Sequence, residues 1–140
     1  MSIESNKILV RRMFEEDLNT DNRAIASEFF DPNFHDHTNP PGMQHGIEGH
    51  IALETLLRAA FPDAHWTIED LFAEDDRVCM RVTMTGTHLG DFFGTPPTGR
   101  AVTQAGIHIL RVANDKIVEH WGINDDLALV RQLEPASETT

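Results

Sequence analysis

Residues 78–88 read Val78-Cys79-Met80-Arg81-Val82-Thr83-Met84-Thr85-Gly86-Thr87-His88. Val78, Met80, Val82, Met84, Gly86 and His88 share one parity; Cys79, Arg81, Thr83, Thr85 and Thr87 share the other. Successive side chains of a strand point to opposite faces, so this alternation predicts a long strand with one apolar face. The segment before it, Trp66 to Ala73, reads as its antiparallel partner across the acidic turn Glu74-Asp75-Asp76. After the Gly/Pro-rich connection 90–100, residues 101–112 and 116–123 read as a hairpin around Ala113-Asn114-Asp115.

The first half reads differently. Ile3, Val10, Met13, Phe14 and Leu18 recur at helical spacing over residues 3–18. Asp21 is placed to cap a short helix to about Phe29, which Asp31-Pro32 ends. Phe34 to His37 is a short extended piece, followed by the loop 38–42. A further helix covers about 47–60, and a last short one about 126–133. Helices first and hairpin-connected strands afterwards is an α+β order. Four strands cannot cover three helical stripes while flat, so the expected architecture is a cone: a strongly curved antiparallel sheet around the N-terminal helices, with an interior pocket.

The 140 residues suit a single domain, expected over 1–135 with a polar tail at 136–140. Eleven basic against 23 acidic residues leave a net charge of −12. No basic cluster is present to neutralise phosphates, which argues against nucleic acid and against an anionic membrane surface. The N-terminal stretch lacks the apolar core of a signal peptide, and no run approaches membrane-spanning length, so a cytoplasmic protein is expected. The single cysteine, Cys79, excludes an intrachain disulfide framework and reads as a buried, inert thiol.

Three polar side chains fall, by parity, on the inward face: His88, His108 and Asp125. His108 shares a face with Val102, Leu110 and Val112; Asp125 shares the parity of Ile117, Trp121 and Ile123. Ionisable groups in an apolar interior have displaced pKa values, which suits general acid/base chemistry. Taken singly, each His could be a hydrogen-bonded core residue. Asp125 could cap the last helix, although Asp126 sits closer to it. His35-Asp36-His37, with His45 and His50 nearby, lacks an established ligand spacing, so no metal and no cofactor are expected; His35 and His37 read as a polar rim that could meet ligand. His65 and His120 fall on surface parity and receive no role. Phe14, Phe34, Trp66, Met84 and Trp121 could line the pocket. No nucleophile elbow, P-loop or dinucleotide fingerprint is visible.

Several stretches resemble the SnoaL-like polyketide cyclases of the NTF2-like superfamily. They are Phe61-Pro62-Asp63, Ile68-Glu69-Asp70, Ala73-Glu74-Asp75-Asp76-Arg77-Val78, Gly86-Thr87-His88-Leu89-Gly90, and Phe93-Gly94-Thr95-Pro96-Pro97-Thr98-Gly99-Arg100. The ending Lys116-Ile117-Val118-Glu119-His120-Trp121, with Asp125 four residues on and Leu129, Gln132 and Leu133 beyond, completes the resemblance. It implies the same cone, commonly a homodimer or larger, and an aldol ring closure without metal or cofactor on an apolar or aromatic carbonyl compound. The family's acid/base Asp falls on Asp125, with His108 assisting and His88 third. The alternatives are a small-ligand binding or accessory protein, and an isomerase or hydrolase using the same pocket.

Overall fold

The computed structural model describes residues 2–20 and 22–134; Asp21, with its expected capping role, and the tail 136–140 lie outside the described residues. Helix α1 (Ile3–Arg12) opens on a capping box, in which Ser2 Oγ accepts from Ser5 N at 3.0 Å and Ser5 Oγ accepts from Ser2 N at 3.0 Å. The helical spacing then continues as a π turn (Met13–Leu18), where Asn19 N donates to Phe14 O at 2.9 Å. A 3-10 turn (Arg23–Ile25) leads into the one-turn helix α2 (Ala26–Phe29). Strand β1 (Phe30–Asp36), helix α3 (Gly46–Ala60), strands β2 (His65–Glu74), β3 (Arg77–Thr87), β4 (Ala101–Ala113) and β5 (Lys116–Asn124), and helix α4 (Asp126–Leu133) complete the chain.

The α+β reading holds, with one correction of topology. The curved sheet has five strands in the order β1-β5-β4-β3-β2, and β1 pairs with β5 in parallel. Strand β1 starts four residues earlier than the extended piece expected from residue 34 and tolerates Pro32 because it is an edge strand, where a missing N–H costs no ladder bond. The remaining neighbours pair antiparallel as expected. Asn114 and Asp115, at φ 51° and 59°, turn the β4–β5 hairpin; residues whose short polar side chains tolerate the left-handed region are the usual occupants of such a turn.

The even-numbered face of β3 and β4 forms the inner wall. Val78, Met80 and Val82 pack with Leu110, Val112, Val10, Phe14 and Phe30 in one cluster, while Met84 and Val102 pack with Phe61, Leu129 and Leu133 in another. Cys79 is on the opposite face, half-buried, and burial raises its thiol pKa.

One local irregularity decides which side chains reach the interior. Arg111 pairs with Glu119 but Val112 pairs with Ile117, so Val118 is an extra residue, a β-bulge. Beyond it the parity of β5 is exchanged. His120, Gly122 and Asn124 pair with Leu110, His108 and Gly106 on the inner face, and Trp121 and Ile123 pair with Ile109 and Ile107 on the outer one, the reverse of the alternation counted from Ile117. The strand β2 carries a second bulge between Ile68 and Asp70.

Candidate active site

Between the sheet and the helices lies a cavity of about 390 Å³, within the range of small-molecule sites. Phe14, Phe34, Trp66, Met80 and Leu110 form apolar walls. At its sheet end sit Asp36, Thr38, His108, His120, Asn124 and Asp126. An adjoining cavity of about 310 Å³ shares Thr38, Leu53, Leu57, Trp66, Asn124 and Asp126, and is lined further on by Phe61, Met84, Phe92 and Leu129.

The polar end is a continuous hydrogen-bonded row. Asp36 Oδ1 lies 2.9 Å from His120 Nδ1, and His120 Nε2 lies 2.8 Å from His108 Nδ1. His108 Nε2 lies 3.1 Å from Asn124 Oδ1. Asp36 Oδ1 also accepts from Thr38 N at 2.9 Å and Thr38 Oγ1 at 2.7 Å. Every position in the row is satisfied when His120 carries a proton on each nitrogen. In that arrangement its Nδ1–H donates to Asp36, its Nε2–H donates to His108 Nδ1, and His108 Nε2–H donates to Asn124 Oδ1.

The electrostatics agree. Burial pushes the His108 pKa down, the charge of His120 lowers it further, and it comes to about 4, leaving a neutral imidazole at neutral pH. Burial alone would raise Asp36, but the hydrogen bond and charge of His120, with the two bonds from Thr38, hold it at about 2. A carboxylate that acidic is a poor base and a good anchor for an imidazolium.

Two glycines make the row possible. A Cβ on Gly122 would stand 2.3 Å from His108 Nδ1 and 2.8 Å from His120 Nε2, and a Cβ on Gly106 would stand 2.1 Å from Asn124 Oδ1. Any side chain at either position would occupy the space where the imidazoles meet their partners.

The expected site residues separate into two groups. His108, Phe14, Phe34 and Trp66 line the main cavity, and Met84 lines the adjoining one. Asp125 does not reach the interior. It is exposed, faces away because of the bulge, and its Oδ1 caps α4 by accepting from Ala128 N at 3.0 Å. The cap role expected of Asp126 is thereby exchanged: Asp126 reaches the cavity and accepts from Gln104 Nε2 at 3.0 Å. His88 is wholly buried but lines neither cavity. Its Nδ1 accepts from Thr98 N at 3.2 Å and lies 3.0 Å from Thr98 Oγ1, and its backbone bonds Gly99 and Arg100, so it pins the 90–100 connection to the strand end. Trp121 is on the outer face, stacked at 4.7 Å on His37, whose Nε2 lies 2.8 Å from Glu119 Oε2. His35 is exposed and stacks on His45 at 5.5 Å; neither His35 nor His37 lines a cavity.

Asp36, His120 and Asn124 were missed. A period-two count from Ile117 places His120 and Asn124 outside, and the bulge leaves no mark in the local composition. For Asp36 a signal existed: between His35 and His37 on a strand, it must face opposite to both.

The model of the SnoaL-like polyketide cyclase family matches residues 8–133. The chain belongs to that family. Among relatives of this SnoaL-like protein, the aklanonic acid methyl ester cyclase DauD of Streptomyces sp. (strain C5) is 34% identical over 133 residues, covering 89% of this chain and 79% of that protein. The nogalonic acid methyl ester cyclase of Streptomyces nogalater is 29% identical over 121 residues, covering 82% and 87%. Among solved structures, TsrD from Streptomyces laurentii superposes with a TM-score of 0.86 at 26% identity, covering 95% of this chain and 97% of that one. The SnoaL-like fold and the NTF2-like cone expected from the residues are therefore those of its relatives. No helix among the described residues is long and apolar enough to cross a membrane.

Proposed function

We propose that this chain closes a ring in an aromatic polyketide ester by an intramolecular aldol reaction, using side chains alone. The observation that carries the reading is the Asp36–His120–His108–Asn124 row at one end of a cavity walled by Phe14, Phe34, Trp66, Met80 and Leu110. A neutral imidazole of depressed pKa is suited to donating a hydrogen bond to a carbonyl oxygen, because it stabilises the enolate without surrendering its own proton outright. His108 Nε2–H takes that role when substrate oxygen replaces Asn124 Oδ1 as its acceptor. Of the three carboxylates lining the cavity, Asp36 is committed to His120 and Thr38 and Glu54 lies on the helix wall beside His50, so Asp126, next to Asn124, is assigned to take the carbon-bound proton.

The step balances without a co-reactant. Asp126 removes a proton α to a carbonyl, the resulting enolate carbon adds to a second carbonyl of the same molecule, and the new alkoxide takes the proton back. Phe14, Phe34 and Trp66 fold the substrate so that the two carbons meet. The names of the relatives point to a polycyclic acid methyl ester as the substrate class. The protein is read as cytoplasmic. It is also read as a homodimer whose interface is the outer face of β4 and β5, where Ile107, Ile109 and Ile123 stand exposed.

The test is turnover of an anthraquinone-type polyketide methyl ester by the unaltered chain and by His108→Gln, Asp126→Asn and Asp125→Ala. Loss of roughly 10²–10³ in rate is expected for the first two, the usual cost of removing an oxyanion donor or a general base. Asp125→Ala should keep its rate. Tight binding with no turnover by the unaltered chain would reduce the protein to a binding module, and lost turnover in Asp125→Ala alone would overturn the assignment.

A further inference from the structure

Of the two cavities that meet at Trp66, Asn124 and Asp126, one alone carries imidazoles. His50, His108 and His120 line the cavity of about 390 Å³ and none of them lines the adjoining one of about 310 Å³. Past the shared residues, the wall of the adjoining chamber includes Phe61, Met84, Phe92, Phe93, Leu129 and Val130. Asp126 is the one ionisable group among the described residues that line it, and the Gln104 amide there donates to Asp126 at 3.0 Å. A space of that composition disfavours charge and favours apolar surface.

The turn that supplies Phe92 and Phe93 is built against local preference. Phe92 N donates to Thr95 O and Thr95 N donates to Phe92 O, each at 2.9 Å, so Phe93 and Gly94 are the central residues of a tight two-residue turn. Their φ values are 44° and 93°. Positive φ at both places is the type I′ pattern, whose first central position favours Asn, Asp or Gly. A bulky aromatic residue there is a steric outlier. Burial does not compensate it, because Phe93 is 60% exposed. Its ring stands edge-on to Phe92 at 4.9 Å, and Phe92 packs on Phe61 at 5.4 Å. Strain kept at a cavity wall, on an aromatic ring that the core does not use, points to a contact with something that enters the cavity.

We propose that the adjoining chamber binds the end of the substrate remote from the forming ring, an uncharged aromatic ring, and that Phe93 and Val130 set the length of polycycle accepted. The identity of the bound molecule rests on the ring-closure reading. Together the two chambers stay within the roughly 300–1,000 Å³ usual for small-molecule sites. A molecule laid through both passes Asn124 and Asp126 at the junction and meets His108 in the main cavity alone.

The test is binding of methyl benzoate, methyl 2-naphthoate and methyl anthraquinone-2-carboxylate by equilibrium dialysis, with thermal unfolding of each chain alongside. The unaltered chain should bind the three-ring ester about tenfold or more tighter than the one-ring ester, from the extra apolar area buried. Phe93→Asn suits the turn and should melt no lower, yet bind the three-ring ester about fivefold more weakly, the scale of one aromatic contact, with methyl benzoate unchanged. Val130→Trp, at a half-exposed position on α4, should fill the chamber and abolish the preference for the longer ester. Leu89→Ala, exposed and lining neither cavity, should bind all three as before. Should Phe93→Asn unfold, Val130→Trp decides. Affinities independent of ring number, or a three-ring ester held as tightly by both variants as by the unaltered chain, overturn the proposal. Length-selective binding by a chain that closes no ring would remove the cyclase reading and leave the chamber assignment standing.

Discussion

His120 Nε2 stands 2.8 Å from His108 Nδ1, the two rings lying within 16° of parallel with centroids 5.1 Å apart. Two imidazoles that close cannot both be charged without strong repulsion, so protonation of one sets the state of the other. Asp36, its pKa held at about 2 and so ionised, places its negative charge on the His120 side of the pair, 2.9 Å from His120 Nδ1. His108, nearer Asn124, is left neutral and able to donate toward the cavity.

That division makes stability depend on acid pH in a definite direction. His108 titrates at about 4 in the folded chain against 6.5 for a free imidazole. Between those values the unfolded chain binds more protons, so stability falls as pH drops from about 6.5 to about 4. Asp36 has the same sign, its contribution being lost between 3.8 and about 2. The displacement of His108 corresponds to on the order of 3 kcal/mol, and that of Asp36, partly screened by solvent, to at most about 2 kcal/mol. Urea unfolding at a series of pH values should show the first loss above pH 4, and a His108→Gln chain should show a shallower slope there. Equal slopes for the two chains would show that His108 does not titrate as assigned.

Gly122 should be more important to turnover than to folding. An added methyl would lie 2.3 Å from His108 Nδ1, a separation that nonbonded atoms do not sustain, and the imidazoles are the parts free to move. Gly122→Ala is expected to cut the cyclase rate by about tenfold to a hundredfold, the scale of an ångström's misplacement in a reacting group. Its unfolding midpoint should move much less. The ring proton resonances of His108 and His120 would report the separation directly; an unchanged rate with both resonances unmoved would show that the pair tolerates the methyl.

The fold was legible because Val78 to His88 alternates without interruption, and a period-two pattern with one apolar face admits few alternatives. The cavity walls Phe14, Phe34, Trp66 and Met84 were legible for a related reason, since large apolar residues on inward faces have nowhere else to go. What failed was direction beyond Val118. A bulge displaces every later side chain to the other face, and nothing about Val118 distinguishes it from an ordinary strand residue. Asp125 and Trp121 were thus placed inside, and His120 and Asn124 outside. His88 failed differently: its inward direction was right and it is fully buried, but depth along the cone put it beyond the cavity, where the 90–100 connection claims its ring. Alternation carries direction and no information about depth.

The bulge itself can be tested by deletion. Without Val118, Ile117 would pair with Val112 and Glu119 with Arg111 as consecutive rungs of a regular ladder. Ile117 would still face inward, Glu119 outward and His120 inward, so deleting Val118 should remove local twist while leaving the interior intact. The parallel partner β1 already departs from regular pairing between Phe30 and His35, which gives that side slack to follow. Deleting Trp121 removes one residue from a stretch with no compensating irregularity. It must either swing Gly122 and Asn124 to the outer face or drag α4 out of register, and both break the row at His108. The Val118 deletion should therefore fold, at a cost of about 1–2 kcal/mol in line with ordinary single changes, and the Trp121 deletion should lose several times that. Urea midpoints of the two chains decide it. If removing Val118 is the more damaging change, the extra residue in β5 is not Val118, and the inward assignment of His120 loses its structural basis.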